Sequence, residues 1–329
     1  WMRPKRASKL FWIKETQISN STLSSHNLLN ASFFVWLTAA RLRTLPLSMA
    51  GIITGNAIAI KSEHFSSGIF ILSLLTAMAF QITSNFANDY GDGLKGTDNK
   101  NRIGPERALQ KGLLTAVALK KGIVVSAIVS FLLATVLVYY ALGLDRVLIS
   151  MFFLMLALLA IWAAIKYTVG KKAYGYIGLG DLFVFLFFGW VSVMGSFFLQ
   201  SQLLDTTVFI YGTALGLLSV GVLNLNNMRD INNDKNSNKI TLAVLLGSQK
   251  AKIYHYLLIF FSGFCLFLGM GGAWLKENPF IALLFTPLIH HLYQLKKTTS
   301  PKGYDPLLKQ LALSTFAISL FLLIIHTLE

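Results

Sequence analysis

Residues 68–92 read GIFILSLLTAMAFQITSNFANDYGD, an apolar run from Gly68 to Ala87 that carries no charge and ends in a knot of asparagine and aspartate. About twenty such residues are what an α-helix needs to cross the hydrocarbon core of a bilayer. Residues 207–234, TVFIYGTALGLLSVGVLNLNNMRDINND, repeat the design with a run from Thr207 to Met228. Outward from these two, comparable runs lie at Thr44 to Ile60, Gly122 to Leu142, Val147 to Ile165, Leu182 to Leu199, Ile253 to Leu275, Asn278 to Gln294 and Gln310 to Leu328. The eighth run is short and carries Pro287, His290 and His291. The pattern predicts an all-α, polytopic membrane protein with nine transmembrane helices.

Composition agrees. The chain is 54% hydrophobic and 13% charged, with a mean hydropathy of +0.60, whereas soluble domains are roughly 25% charged. Cys265 is the single cysteine and lies in the apolar stretch GFCLFLG, which excludes a disulfide framework and a cysteine-based zinc site. A net charge of +15 would suggest nucleic acid in a soluble protein; here it is loop charge that sets orientation, and no nucleic-acid partner is expected.

The loop charges test that reading. With the N-terminus in the cytoplasm, 26 of the 29 lysines and arginines fall in the tail and the even-numbered loops, and only Lys61, Arg146 and Lys276 lie opposite. This asymmetry predicts N-terminus in, C-terminus out. Residues 1–30, polar and basic, are expected to form a cytoplasmic tail, and 31–329 the transmembrane domain. The loops after the second and sixth runs are expected to be long, about 30 and about 24 residues, and to hold the function.

On a helix, Asn85, Asp89 and Asp92 stand at i, i+4 and i+7, and Asn226, Asp230 and Asp234 at i, i+4 and i+8, so each triplet shares one face. The commoner explanation of a single Asn or Asp at a membrane boundary is a helix cap. Two such faces on the same side of the membrane, among basic residues, are not accounted for by capping. Clustered carboxylates repel unless a cation neutralises them, and an all-oxygen set suits Mg²⁺, which normally completes its shell with phosphate. Cations for a phosphate are at hand in Lys95, Arg102, Arg107 and Lys111, in Arg229, Lys235 and Lys239, and in Arg41 and Arg43. Many of these would merely orient the protein or meet lipid headgroups; Arg107 and Arg229, beside the acidic motifs, stand out.

The stretches NFANDYGDGLKGTDNKNRIGPERALQKGLLT (85–115) and NNMRDINNDKNSNKITLAVLLG (226–247) closely resemble the two signature regions of the UbiA superfamily of intramembrane prenyltransferases. Within it, WLTAARLRTLPLSMAG (36–51) and YTVGKKAYGYIGLGDLFVFLFFG (167–189) look like the 1,4-dihydroxy-2-naphthoate polyprenyltransferases of menaquinone biosynthesis. The resemblance implies a horseshoe of nine helices around a central cavity under a cytoplasmic cap, in the inner membrane. It implies one Mg²⁺ on Asn85, Asp89 and Asp92 and another on Asp230 and Asp234. Diphosphate contacts would come from Lys95, Arg107, Lys111, Asn226 and Arg229, and acceptor contacts or catalysis from Arg43, Lys166, Tyr167 and Asp181. The implied substrates are a polyprenyl diphosphate and 1,4-dihydroxy-2-naphthoate, the products demethylmenaquinone, CO₂ and diphosphate.

Two rivals remain at this level. One keeps the fold and changes the aromatic acceptor. The other is a cation-coupled transporter, because intramembrane acids often mark an ion path; its sites lie near the bilayer midplane, whereas these acids sit at helix ends.

Overall fold

A computed structural model describes residues 25–271 and 279–328, with side chains over 33–271 and 282–328. The described residues form ten α-helices: α1 Ser25–Ala40, α2 Leu45–Lys61, α3 Ser67–Leu94, α4 Ala116–Leu142, α5 Val147–Lys166, α6 Gly180–Ser201, α7 Thr206–Asn236, α8 Leu242–Met270, α9 Thr286–Lys297 and α10 Tyr304–Leu328. The nine expected spans fall on α2 to α10, and α1 is an addition that the hydropathy pattern does not announce. Among the described residues seven helices are long and apolar enough to cross a membrane; of the nine expected spans, α2, at 17 residues, and α9, at 12, are shorter than these. The expected tail lies, over residues 1–24, outside the described residues.

Helix ends differ from expectation where it matters most. The apolar runs stop at Ala87 and Met228, but α3 continues to Leu94 and α7 to Asn236. Hydropathy marks where lipid contact ceases; backbone hydrogen bonding carries the helix further, because the polar turns are covered by protein. The long loop expected after the sixth run therefore shrinks to the five residues Ser237–Thr241, as α7 and α8 share the rest. Thr241 starts α8 by accepting from the Val244 amide. Gly247, at φ 74° and ψ 163°, turns that first short stretch away from the main helix, a conformation reserved for glycine.

α7 is the central post, packed by α8, α10, α6 and α2 around a core that includes Leu215, Leu218, Leu225, Leu266, Leu311 and Leu322. α4 and α5 lie outside it, with Val125, Ile128, Leu132, Leu148, Phe152 and Met155 facing outward as a lipid-contacting surface. Without a hydrophobic force between helices in lipid, close backbone approach must supply cohesion. Gly51 and Gly55 on α2, four apart, let α6 come near enough that a Cβ on Gly55 would stand 2.3 Å from the Val193 carbonyl. Backbone cannot swing aside as a side chain can. Gly55→Ala should therefore lower stability by about 1–3 kcal/mol, read as an earlier thermal transition in detergent; an unchanged transition would show that α2 and α6 separate freely.

Candidate functional site

The two polar helix ends meet under the segment that links α3 to α4. Asn233 of α7 donates to the Thr97 carbonyl at 2.8 Å, and Lys239 reaches Asp92 at 3.5 Å. Arg107, in the same linking segment, pairs with Asp92 at 2.9 Å and Asp98 at 3.1 Å and donates to the Asn88 carbonyl at 2.6 Å. Arg102 pairs with Asp98 at 3.1 Å. Residues far apart in the chain thus form one charge cluster, and nearly all of it is buried.

Each expected residue has a definite place. Asn85 is buried and fully engaged: its amide donates to the Ala40 carbonyl at 2.7 Å and to Thr44 Oγ1 at 2.9 Å, and its oxygen accepts from Gln81 at 3.1 Å. It ties the end of α1 to α3. Asp89 accepts from the amides of Ala108 and Leu109 at 3.1 and 3.3 Å, fixing the linking segment against α3. Asp92 takes Arg107, Lys239 and the Tyr176 hydroxyl, the last at 2.8 Å. On α7, Arg229 holds Asp230 through Nε at 3.2 Å and Nη2 at 2.7 Å, reaches Asn226 at 2.7 Å and pairs with Asp305 of α10 at 2.5 Å. Asp234 is 2% exposed, yet its Oδ2 has no hydrogen-bond donor.

Not every expected cation joins the cluster. Lys95 lies over the Tyr176 ring at 3.7 Å, beside Asp92. Lys111 faces outward and pairs with the exposed Glu106 at 3.3 Å, a contact of little energetic weight. Lys166 is likewise exposed at the end of α5. Tyr167 is drawn inward: a Cβ at Gly180 would lie 3.1 Å from its ring, and its hydroxyl is held protonated well above the usual range by burial, with Asp92, Tyr174, Asp181 and Asp234 adding to the effect. Asp181, in the first turn of α6, accepts from the Tyr254 hydroxyl at 3.1 Å.

Beside this cluster opens a cavity of about 440 Å³, lined by Phe34, Leu37, Arg41, Arg43, Arg107 and Asp89 among others. Burial, reinforced by Arg107 and Arg102, pulls the Arg41 guanidinium down to about 9. So crowded a cation favours an anion as neighbour. For Arg107 burial acts in the same downward sense, but Asp92, Asp98 and Asp89 outweigh it and raise the value. Asp98 is pushed up, first by burial, despite the two arginines it faces.

Asp98, Tyr176, Asn233 and Tyr254 are site residues that sequence spacing did not pick out. Asp98 follows the end of α3 and the turn at Gly96, where helical periodicity no longer applies. The partnership of Tyr176 with Asp92 spans 84 positions. A hint for Asp98 existed in its place between two basic residues of a long polar segment.

Among the described residues no three His, Cys, Asp or Glu side chains form a ready metal cage. Magnesium does not require one, since it is commonly held by one or two carboxylates with phosphate and water completing the octahedron. Asp234 Oδ2 and Asn227 Oδ1 are buried oxygens without donors, and they lie seven residues apart on one face of α7. The oxygen-only set therefore fits Mg²⁺ arriving with a diphosphate.

An all-helical membrane protein with two acidic helix ends joined under an arginine-rich segment is thus the class that fold and site define. The family model of the UbiA prenyltransferases matches residues 44–324, and the chain belongs to this family. It is 46% identical over 231 residues to the 1,4-dihydroxy-2-naphthoate octaprenyltransferase of Escherichia coli (strain K12), covering 70% of this chain and 74% of the relative. To the enzyme of the same name from Haemophilus influenzae it is 37% identical over 301 residues, or 91% and 97% of the two chains. Among solved structures, a UbiA homologue from Archaeoglobus fulgidus bound to DMAPP and Mg²⁺ superposes with a TM-score of 0.57 at 13% identity, over 86% of this chain and 99% of that one. The last likeness establishes the fold.

Proposed function

We propose that this integral membrane protein transfers a polyprenyl group from polyprenyl diphosphate to 1,4-dihydroxy-2-naphthoate, releasing diphosphate and CO₂. The observation that carries the reading is the joining of the two acidic helix ends, Lys239 to Asp92 and Asn233 to the Thr97 carbonyl, together with the naphthoate relatives at 46% and 37% identity. Asp89, Asp92, Asp230 and Asp234 would hold Mg²⁺, with Asn85 and Asn226 bracing the two helix ends. The bound Mg²⁺ supplies charge neutralisation for the departing diphosphate. Arg107, Lys95 and Arg229 add fixed positive charge, already in place before the bond breaks. Arg41 and Arg43 in the cavity draw anionic substrate toward it. Tyr167 and Asp181 face the acceptor, and the surrounding apolar helices keep water from the allyl cation. The transfer involves no oxidant, so its product is the quinol; the quinone expected from sequence requires a later two-electron oxidation. The loop charges support a cytoplasmic site, with the N-terminus in and the C-terminus out, and the bacterial relatives support residence in the inner membrane.

The test is incubation of purified protein with Mg²⁺, a polyprenyl diphosphate and equal concentrations of dihydroxynaphthoate and 4-hydroxybenzoate, with prenylated products measured by mass spectrometry. The expected result is predominantly decarboxylated prenyl-naphthoquinol. A second ring adds apolar contact worth roughly 0.8 kcal/mol per methylene-sized group, enough for a selectivity of about two powers of ten. Predominant prenyl-hydroxybenzoate would overturn the acceptor while leaving the family intact. EDTA should stop turnover, and added Mg²⁺ should restore it.

A further inference from the structure

The proposed reaction needs a group to take the acceptor's ring-hydroxyl proton, and the two candidates differ in surroundings. Burial first, and then the charges of nearby carboxylates, keep the Tyr167 hydroxyl protonated, so it acts as a donor. Asp181 is 8% exposed, and among the described residues no lysine or arginine pairs with it. What holds its carboxylate is the Tyr254 hydroxyl, brought from α8 to Oδ2 at 3.1 Å. Tyr167 is within electrostatic reach of Asp181 and also of Asp92 and Asp234 in the charge cluster. A flat wall flanks the same place: Tyr174 and Phe183 stack with ring centres 4.0 Å apart, and Tyr167 meets Tyr174 edge-on at 5.4 Å. Phe183 stands two residues after Asp181 in the first turns of α6, so the wall and the carboxylate belong to the same helix end.

Resting on the proposed function, we infer that Asp181 is the general base for the acceptor hydroxyl and that Tyr254 is its positioning residue. The carboxylate takes the hydroxyl proton, and the resulting naphtholate pushes electrons to its carboxyl-bearing carbon. That carbon forms the new C–C bond to the allylic carbon as the C–O bond to diphosphate breaks, leaving a ketone beside the substituted carbon. The carboxylate then departs as CO₂; its bonding pair restores the aromatic ring, and the oxygen regains the proton from Asp181. No proton or electron is left over, so Asp181 ends each turnover ionised. A base that gives and takes the same proton must hold one orientation throughout, and the Tyr254 hydroxyl supplies that hold at Oδ2.

The experiment is a double-mutant cycle on purified protein, with kcat and both KM values measured. Asp181→Asn, which keeps the shape, should lower kcat by about 10²–10⁴-fold, the span of general-base effects. Tyr254→Phe, which keeps the ring, should lower kcat by about tenfold with the KM for polyprenyl diphosphate unchanged. Once Asp181 is Asn, Tyr254→Phe should cost nothing more, because its effect passes through the carboxylate. Multiplying effects, or a wild-type kcat in Tyr254→Phe, would overturn the inference, as would a lower thermal transition with kcat preserved, the mark of a merely structural bond. The wild type run alongside separates the two readings: if it prenylates another acceptor and not the naphthoate, the function falls, and the same cycle with that acceptor still decides the role of Tyr254.

Discussion

Asp234→Asn is expected to lower prenyl transfer by at least about 10²–10³-fold without destabilising the fold, because the native carboxylate is buried yet has an oxygen that nothing in the protein satisfies. A side chain kept for packing would not retain such an atom: a buried unsatisfied polar group costs about 1–3 kcal/mol. Asparagine preserves volume and removes the charge, so the thermal transition in detergent should stay within the range of an ordinary surface change. The loss should be partly offset by raising Mg²⁺, since the deficit lies in holding the cation. Full activity in Asp234→Asn, or loss of activity accompanied by an equal loss of folded protein, would show that this carboxylate serves the fold and holds no cation.

Arg107→Ala is expected to abolish activity and, in contrast, to weaken the fold by about 3–5 kcal/mol, because removing one partner of a buried pair strands the other charges. Here Asp92 is left with Lys239 alone and Asp98 with Arg102 alone as ion-pair partners among the described residues, and the Asn88 carbonyl loses its donor. Acidification should narrow the deficit. Burial already raises the Asp98 carboxyl, and Arg107 is the foremost influence holding it down; without Arg107 it rises further above its unfolded value. The folded state then binds a proton before the unfolded state does, so stability grows as pH falls through the raised folded value. Thermal transitions of wild type and Arg107→Ala at pH 7.5 and near pH 5 check this: a gap that widens on acidification contradicts the assignment. Asp98→Asn in the Arg107→Ala background should recover part of the stability at neutral pH but none of the activity.

How far the site was legible follows from the range of each signal. Asn85, Asp89 and Asp92, and likewise Asp230 and Asp234, announce themselves because helical spacing is local and survives in the chain as a period. Arg107 and Arg229 stand out by adjacency to those motifs. Asp98, Tyr176 and Tyr254 carry no period, and their partners lie on other helices. The role of Asn85 shows a different gap: its spacing places it with the carboxylates, but its amide is committed to Ala40 and Thr44, which no spacing rule encodes.

Consecutive residues alone establish a polytopic helical membrane protein with two acidic helix ends on the more basic side, because apolar length, charge asymmetry and helical period are local properties of the chain. Its resemblance to the UbiA enzymes rests on the same local runs. The packing of the helices sets where α3 and α7 end, since a buried polar turn loses its lipid signal while keeping its hydrogen bonds. It also decided which charges meet: Lys239 joins Asp92 across 147 positions, while Lys111, only four residues after Arg107, turns outward to Glu106. Coulomb energy depends on distance and burial in three dimensions, so a charge's partner is fixed by the packing of helices, and its sign alone is what the chain records.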